Sequence, residues 1–294
     1  MKQLAKRTIL GVAHRSQLVR RVAAFIVAQT ETKDTYGYLR DRFISNGKNH
    51  DFGESIRSEI VSRFKRIDRE VPIATTPTDG LLLAEMLLNM EAEGTLIECG
   101  CYAGGSSAKL SVISKLLNRE LIVFDSFEGL PVVKEYYLRD QHCRQSDDWV
   151  TDWTKGRYAV RLDEVRSNIE RYGELSVCRF VKGWFNETLT NENLPERIAF
   201  AFADVDLANS ARDCFVAVWP RLSEKGIYVT HDTAYIKVLQ ELYNPELWRE
   251  EFKSIPPILF GAGYGLCNES PHLGYMVKGD SLTPDYLKSL TIDK

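Results

Sequence analysis

The stretch that decides the fold is Thr95-Leu96-Ile97-Glu98-Cys99-Gly100-Cys101-Tyr102-Ala103-Gly104-Gly105-Ser106-Ser107. A short apolar run ends on an acid, turns on glycine and opens into a segment of helical spacing. A strand that passes through glycine into a helix is how an open α/β sheet presents a ligand loop. A dinucleotide loop would read G-x-G-x-x-G, and here the middle glycine is replaced by Tyr102. Glu98, two residues before the first glycine, would also repel a phosphate.

Outward from this loop, the same alternation continues. Residues 95–100, 121–125, 177–182, 199–206 and 226–232 are short apolar runs that read as strands, several closed by Gly or Asp. Between them, Leu162, Val165, Ile169 and Tyr172 recur at spacings of 3, 4 and 3, which puts them on one face of a helix over 161–172. Cys214, Phe215, Val218, Trp219 and Leu222 do the same over 209–222. Strand and helix in alternation predict an α/β fold, a Rossmann-like open sheet, mostly parallel, covered on both faces. Residues 258–260 and 273–278 are expected to form a closing antiparallel hairpin. Residues 1–75 read as a helical N-terminal extension with polar breaks at 47–51 and 75–80, and residues 76–294 as the ligand-binding domain. The aromatic-rich segment 127–160 is too long for a plain connection and is expected to be a lid.

Ligands of such sheets bind at the carboxyl ends of the strands. There the chain has Glu98-Cys99-Gly100, Asp125-Ser126, Gly183-Trp184, Asp204-Val205-Asp206 and His231-Asp232. An acid with a glycine turn suits a cofactor bearing an ammonium and a sulfonium but no phosphate, namely S-adenosylmethionine. Glu98, Gly100, Tyr102, Gly104, Ser106 and Ser126 are its candidate contacts. Asp125 is placed to accept ribose hydroxyls, and Trp184 to stack on adenine or to pack the core. Carboxylates ending two adjacent strands converge, as an oxygen-ligated divalent cation requires.

Composition narrows the partners. A net charge of −3 over 294 residues leaves no basic field for nucleic acid. Six cysteines without a C-x-x-C pair imply thiols in a reducing, cytoplasmic compartment, with neither zinc nor disulfides. No apolar run reaches the roughly 18 residues of a membrane span. Residues 1–29 are basic and amphipathic, a pattern that packs on its own domain or a twin subunit, or lies on an anionic membrane as a peripheral contact. A homo-oligomer is expected.

The chain resembles the macrocin O-methyltransferase family of Mg²⁺-dependent, S-adenosylmethionine-dependent sugar O-methyltransferases. The resemblance covers roughly residues 75 to 235. It is carried by LIECGCYAGGSS (96–107), FDSFEGLP (124–131), GRYAVRLDEVRSNIERYG (156–173) leading to FVKGWFNETL (180–189), and DVDLANSARDCFVAVWPRLSEKGIYVTHD (204–232). It implies a class I methyltransferase fold, cofactor contacts at Glu98, Gly100 and Asp125, a metal site of Asp204, His231 and Asp232, with Asp204 also beside the cofactor, and Asp206 as general base. Two departures stand out. The family typically has two adjacent aspartates where this chain has His231-Asp232, and D-G-D-L-Y-E-S where it has Asp204-Val205-Asp206-Leu207-Ala208-Asn209-Ser210. Histidine suits Mn²⁺ or another transition ion better than Mg²⁺, and near neutral pH His231 is itself a candidate base. The resemblance thus implies methyl transfer to a hydroxyl of a sugar in a glycosylated metabolite or surface glycan. A catechol-type phenolic O-methyltransferase and a catalytically silent scaffold of the same fold are the alternatives.

Overall fold

A computed structural model of the chain describes residues 36–49, 51–132 and 155–279. The basic stretch 1–29 and residues 133–154 of the expected lid lie outside the described residues. Helices α1 (Glu54–Glu70) and α2 (Pro77–Asn89) precede β1 (Thr95–Cys99). Next come α3 (Gly105–Leu116), β2 (Leu121–Asp125), α4 (Leu162–Tyr172), β3 (Cys178–Lys182) and the short α5 (Phe185–Thr188). The remaining elements are β4 (Ile198–Ala203), α6 (Ala208–Val218), β5 (Leu222–Thr230), α7 (Ile236–Leu242) and β6 (Gly274–Val277).

The six strands form one sheet in the order β3-β2-β1-β4-β5-β6. All neighbours run parallel except β5 and β6. Alternation along each strand sorts the side chains into two cores. Leu96, Val123, Phe200, Phe202 and Val229 pack with Ile60, Phe64, Leu82, Met86 and Val165 from α1, α2 and α4. Ile97, Phe124, Ala201, Tyr228 and Met276 pack on the other face with Phe215, Val218, Leu242 and Trp248. Each such Leu, Ile or Phe is worth roughly 1.5–3 kcal/mol when buried, so the parallel strands are apolar on both faces and read as continuous runs in the sequence.

The polar stretch 75–80, expected to be a break, is a helix start. Thr76 caps α2 by accepting the Asp79 backbone N–H, the Asp79 side chain accepts the Thr76 N–H in return, and Pro77 supplies the first helical position. The expected antiparallel end is present, and its two segments pair to different extents. Strand β6 pairs with β5 from Ile227 to Thr230, whereas the 258–260 segment joins the sheet through the single Phe260–Tyr275 bridge. Pro256 and Pro257 just before it have no N–H to donate to a longer ladder. Strand β4 stops at Ala203 rather than running to 206, because the chain turns there and Asp206 takes a left-handed φ of 61°.

A row of backbone hydrogen bonds lines up the strand ends. Gly183 N–H donates to Asp125 O at 3.0 Å, Gly100 N–H to Phe124 O at 2.9 Å, Asp204 N–H to Cys99 O at 2.9 Å and His231 N–H to Ala203 O at 2.9 Å. The residues that follow the strands therefore emerge side by side on one edge of the sheet. No helix among the described residues is long and apolar enough to cross a membrane.

Candidate active site

A cavity of about 440 Å³ opens over this edge, within the usual range for small-molecule sites. Of the residues singled out in the sequence, Gly100, Tyr102, Ser106, Asp125, Ser126 and Trp184 line one part of it, and Asp204, Asp206, His231 and Asp232 also line it. Glu98 and Gly104 do not. Glu98 is fully buried beneath the loop, where its carboxylate accepts the Ser107 hydroxyl. Burial is the main cause that pushes its pKa up to about 8, with Asp204 and Asp125 adding to it against the Ser106 and Ser107 hydroxyls. Gly104 caps α3 with a φ of 83°, and a Cβ there would sit 2.9 Å from Val165 Cγ1, so it serves close packing of α3 against α4.

Asp125 ties the β1 and β2 ends together. Its Oδ2 accepts the Cys101 N–H at 2.8 Å and its Oδ1 the Phe127 N–H at 2.7 Å, which leaves each oxygen a second lone pair. Ser126 Oγ closes the next turn, accepting the Glu128 N–H and donating to Gly129 O, both at 3.1 Å. Gly100 has a φ of 84°, and a Cβ there would collide with the Asp204 carbonyl oxygen. Only glycine lets the β1 and β4 ends approach this closely. Tyr102, also left-handed at φ 49°, packs edge-on against Tyr158 with ring centroids 5.2 Å apart.

Opposite lies a concentration of acid. Asp204, Asp206 and Asp232 each offer one oxygen, and the three oxygens lie within 4.8 Å of one another. Asp232 is fastened by the Val205 and Asp206 backbone amides, which both donate to its Oδ2 at 3.1 Å. Burial, followed by the neighbouring Asp204, raises the Asp232 pKa to about 7. Burial and then Asp232 and Asp204 hold the Asp206 carboxyl well above the usual carboxylate range. An oxygen-only set of crowded carboxylates is the donor set a hard divalent cation such as Mg²⁺ takes, and a cation would relieve the repulsion that raises both pKa values. The residues present therefore fit such an ion.

His231 sits beside this set with both ring nitrogens directed at carboxylates. Nδ1 is 3.4 Å from Asp204 Oδ1 and Nε2 is 3.2 Å from Asp79 Oδ2. Burial alone would lower its pKa, but Asp204 and Asp79 overcome this and raise it well above the ordinary histidine value. Asp79 shows the converse: burial would raise its pKa, and His231, Ser270 and Thr76 together bring it below the usual value. Asp79 was not singled out in the sequence, although Thr76-Pro77-Thr78-Asp79 before an apolar run is a capping-box signature. Arg157, Tyr235 and His272 also line the cavity. Tyr235 follows Asp232 by three residues, but no local signal marks His272, which the loop before β6 delivers.

The sequence model of the family described as Macrocin-O-methyltransferase (TylF) matches residues 82–253. A relative from Streptomyces olivaceus, 8-demethyl-8-(2,3-dimethoxy-alpha-L-rhamnosyl)-tetracenomycin-C 4'-O-methyltransferase, is 35% identical over 155 residues. That stretch is 51% of this chain and 57% of the relative, so the chain spans little more than half the length of the curated protein it matches. Among solved structures, the O-methyltransferase NovP is similar with a TM-score of 0.50 at 21% identity, covering 82% of this chain and 97% of NovP. The calicheamicin methyltransferase CalS11 is similar with a TM-score of 0.50 at 20% identity, covering 76% of this chain and 93% of CalS11. The open sheet with its antiparallel closing strand is the class I methyltransferase fold that these two structures share.

Proposed function

Because the chain belongs to the macrocin-O-methyltransferase family, we propose that it transfers a methyl group from S-adenosylmethionine to a hydroxyl of a sugar, in a glycosylated metabolite or surface glycan. The observation that carries this reading is the juxtaposition in one cavity of the Gly100 loop and Asp125 with the Asp204, Asp206 and Asp232 carboxylates. The rhamnosyl substrate in the name of the Streptomyces olivaceus relative supports a sugar as acceptor.

When bound, S-adenosylmethionine supplies an electrophilic methyl group, and a divalent cation lowers the pKa of a hydroxyl it touches. The remaining work belongs to the chain. The second lone pairs of Asp125 would accept ribose hydroxyls, and Trp184 and Tyr102, which line the same cavity, would flank the base and exclude water. Asp204 and Asp232 would hold the cation, and His231, with both nitrogens committed to carboxylates, orients Asp204 instead of ligating. Asp206, beside Asp204 and Asp232 in the cavity, would receive the proton of the acceptor hydroxyl on a carboxylate oxygen. Tyr235 and His272, with ring centroids 6.0 Å apart and planes tilted by 37°, would wall the acceptor side of the cavity. The free thiols Cys99, Cys101, Cys178, Cys214 and Cys267 support a reducing, cytoplasmic setting.

Methyl transfer is to be measured with rhamnosides and catechols as acceptors, with and without EDTA. We expect transfer to the glycosides, its loss in EDTA, and a fall in kcat of about 100-fold or more in Asp206→Asn. Full activity in EDTA overturns the cation, and transfer to catechols alone overturns the acceptor class.

A further inference from the structure

His231 is held on one side by Asp79, which precedes the segment matched by the family, and Asp79 is tied in turn by Ser270, which follows it. Asp79 and Ser270 flank the matched segment 82–253 on either side, yet both are fully buried and bonded to each other, with Asp79 alone reaching His231. One Asp79 oxygen, Oδ2, lies 3.2 Å from His231 Nε2 and accepts the Thr76 N–H at 2.6 Å. The other, Oδ1, accepts the Ser270 hydroxyl. Asp79 is thus tied by its own helix cap and by the loop before β6, and cannot rotate without breaking one of them. On the far side of the imidazole, Nδ1 faces Asp204 Oδ1 at 3.4 Å. The ring itself is packed edge-on to Phe202, with centroids 6.5 Å apart at 73°, and lies 5.6 Å from His272.

We infer that Asp79 and Ser270 act through His231 as positioning residues for Asp204, so that the carboxylate offered to a divalent cation is oriented by groups outside the matched segment. The inference rests on the cation site proposed above. Partners of this kind set the orientation of a ligand without touching the ion, and their loss typically weakens metal binding by about 10–100-fold.

The test is an Mn²⁺ titration followed by electron paramagnetic resonance, on the full chain without S-adenosylmethionine, for wild type, Asp79→Asn, Ser270→Ala and Thr76→Ala. Asp79→Asn is expected to weaken Mn²⁺ binding about tenfold or more and to lower kcat while leaving KM for S-adenosylmethionine unchanged. Ser270→Ala shifts Mn²⁺ affinity in the same direction by less. Thr76→Ala loses only the capping hydroxyl of α2, so it is expected to melt earlier while keeping wild-type Mn²⁺ affinity. Wild-type affinity in both Asp79→Asn and Ser270→Ala overturns the inference, as does a Thr76→Ala that weakens Mn²⁺ equally. Should Asp79→Asn not fold, Ser270→Ala with wild-type affinity is sufficient to overturn it. A wild-type protein that binds no Mn²⁺ overturns the cation site itself, a result distinct from either of these.

Discussion

Glu98 shows how far a single buried acid can set the pH response of this fold. Its carboxyl is displaced from an ordinary 4.5 to about 8, mainly by burial. Below pH 4.5 the folded and unfolded chains both hold the proton. Between 4.5 and 8 the unfolded chain releases it while the folded chain keeps it, so stability falls as pH rises through this window and levels off above it. At about 1.4 kcal/mol per pKa unit, the loss is on the order of a few kcal/mol. Glu98→Gln is neutral throughout, so calorimetry without cofactor is expected to show wild type losing roughly 5–10 °C relative to the variant between pH 5 and pH 9. Equal slopes would place the Glu98 pKa near that of a solvated acid. At this scale the sequence was legible where a residue acts through its own strand end: Asp125, Asp204, Asp206 and Asp232 all line the cavity. It was not legible for Asp79, whose role comes from a contact 152 residues along the chain.

At the scale of elements, the approach of β1 to β4 depends on Gly100. Gly100→Ala would force a left-handed alanine into the Asp204 carbonyl, and strain of this kind costs about 1–3 kcal/mol before the ends separate. We expect a lower melting temperature together with a raised KM for S-adenosylmethionine, because the same turn presents the loop. Thermal melts and initial-rate kinetics read both effects, and a change in melting temperature alone would detach the turn from cofactor binding. The parallel strands were readable because burial on both faces makes them apolar runs. The antiparallel end was legible as a hairpin but not in its extent, since Pro256 and Pro257 lack the N–H groups that a longer ladder from 258–260 along β6 would need. The start of α2 was hidden because its capping residues are those of a turn.

Across the whole molecule, the largest aromatic cluster and the cavity occupy different places, the cavity at the strand-end edge and the cluster on one face of the sheet. The face away from α1 to α4 holds an aromatic cluster in which Phe215 meets Trp219, Tyr228, Trp248 and Phe252 with centroids 5.0–5.8 Å apart. Trp248 also donates its Nε1–H to Leu242 O at 2.7 Å. Trp248→Ala is expected to cost about 3–5 kcal/mol while leaving KM for cofactor and acceptor unchanged. Denaturant titration beside kinetics at low temperature checks this, and a shifted KM would tie the cluster to the cavity. Asp79 and Ser270 carry a consequence for anyone recombining these proteins. A chimera that transplants only the matched segment 82–253 into a relative takes His231 and Asp204 along and leaves behind Asp79 and the Ser270 that ties it. Grafts that include the two flanking stretches, or that exchange His231 with them, are the ones whose catalytic edge arrives intact.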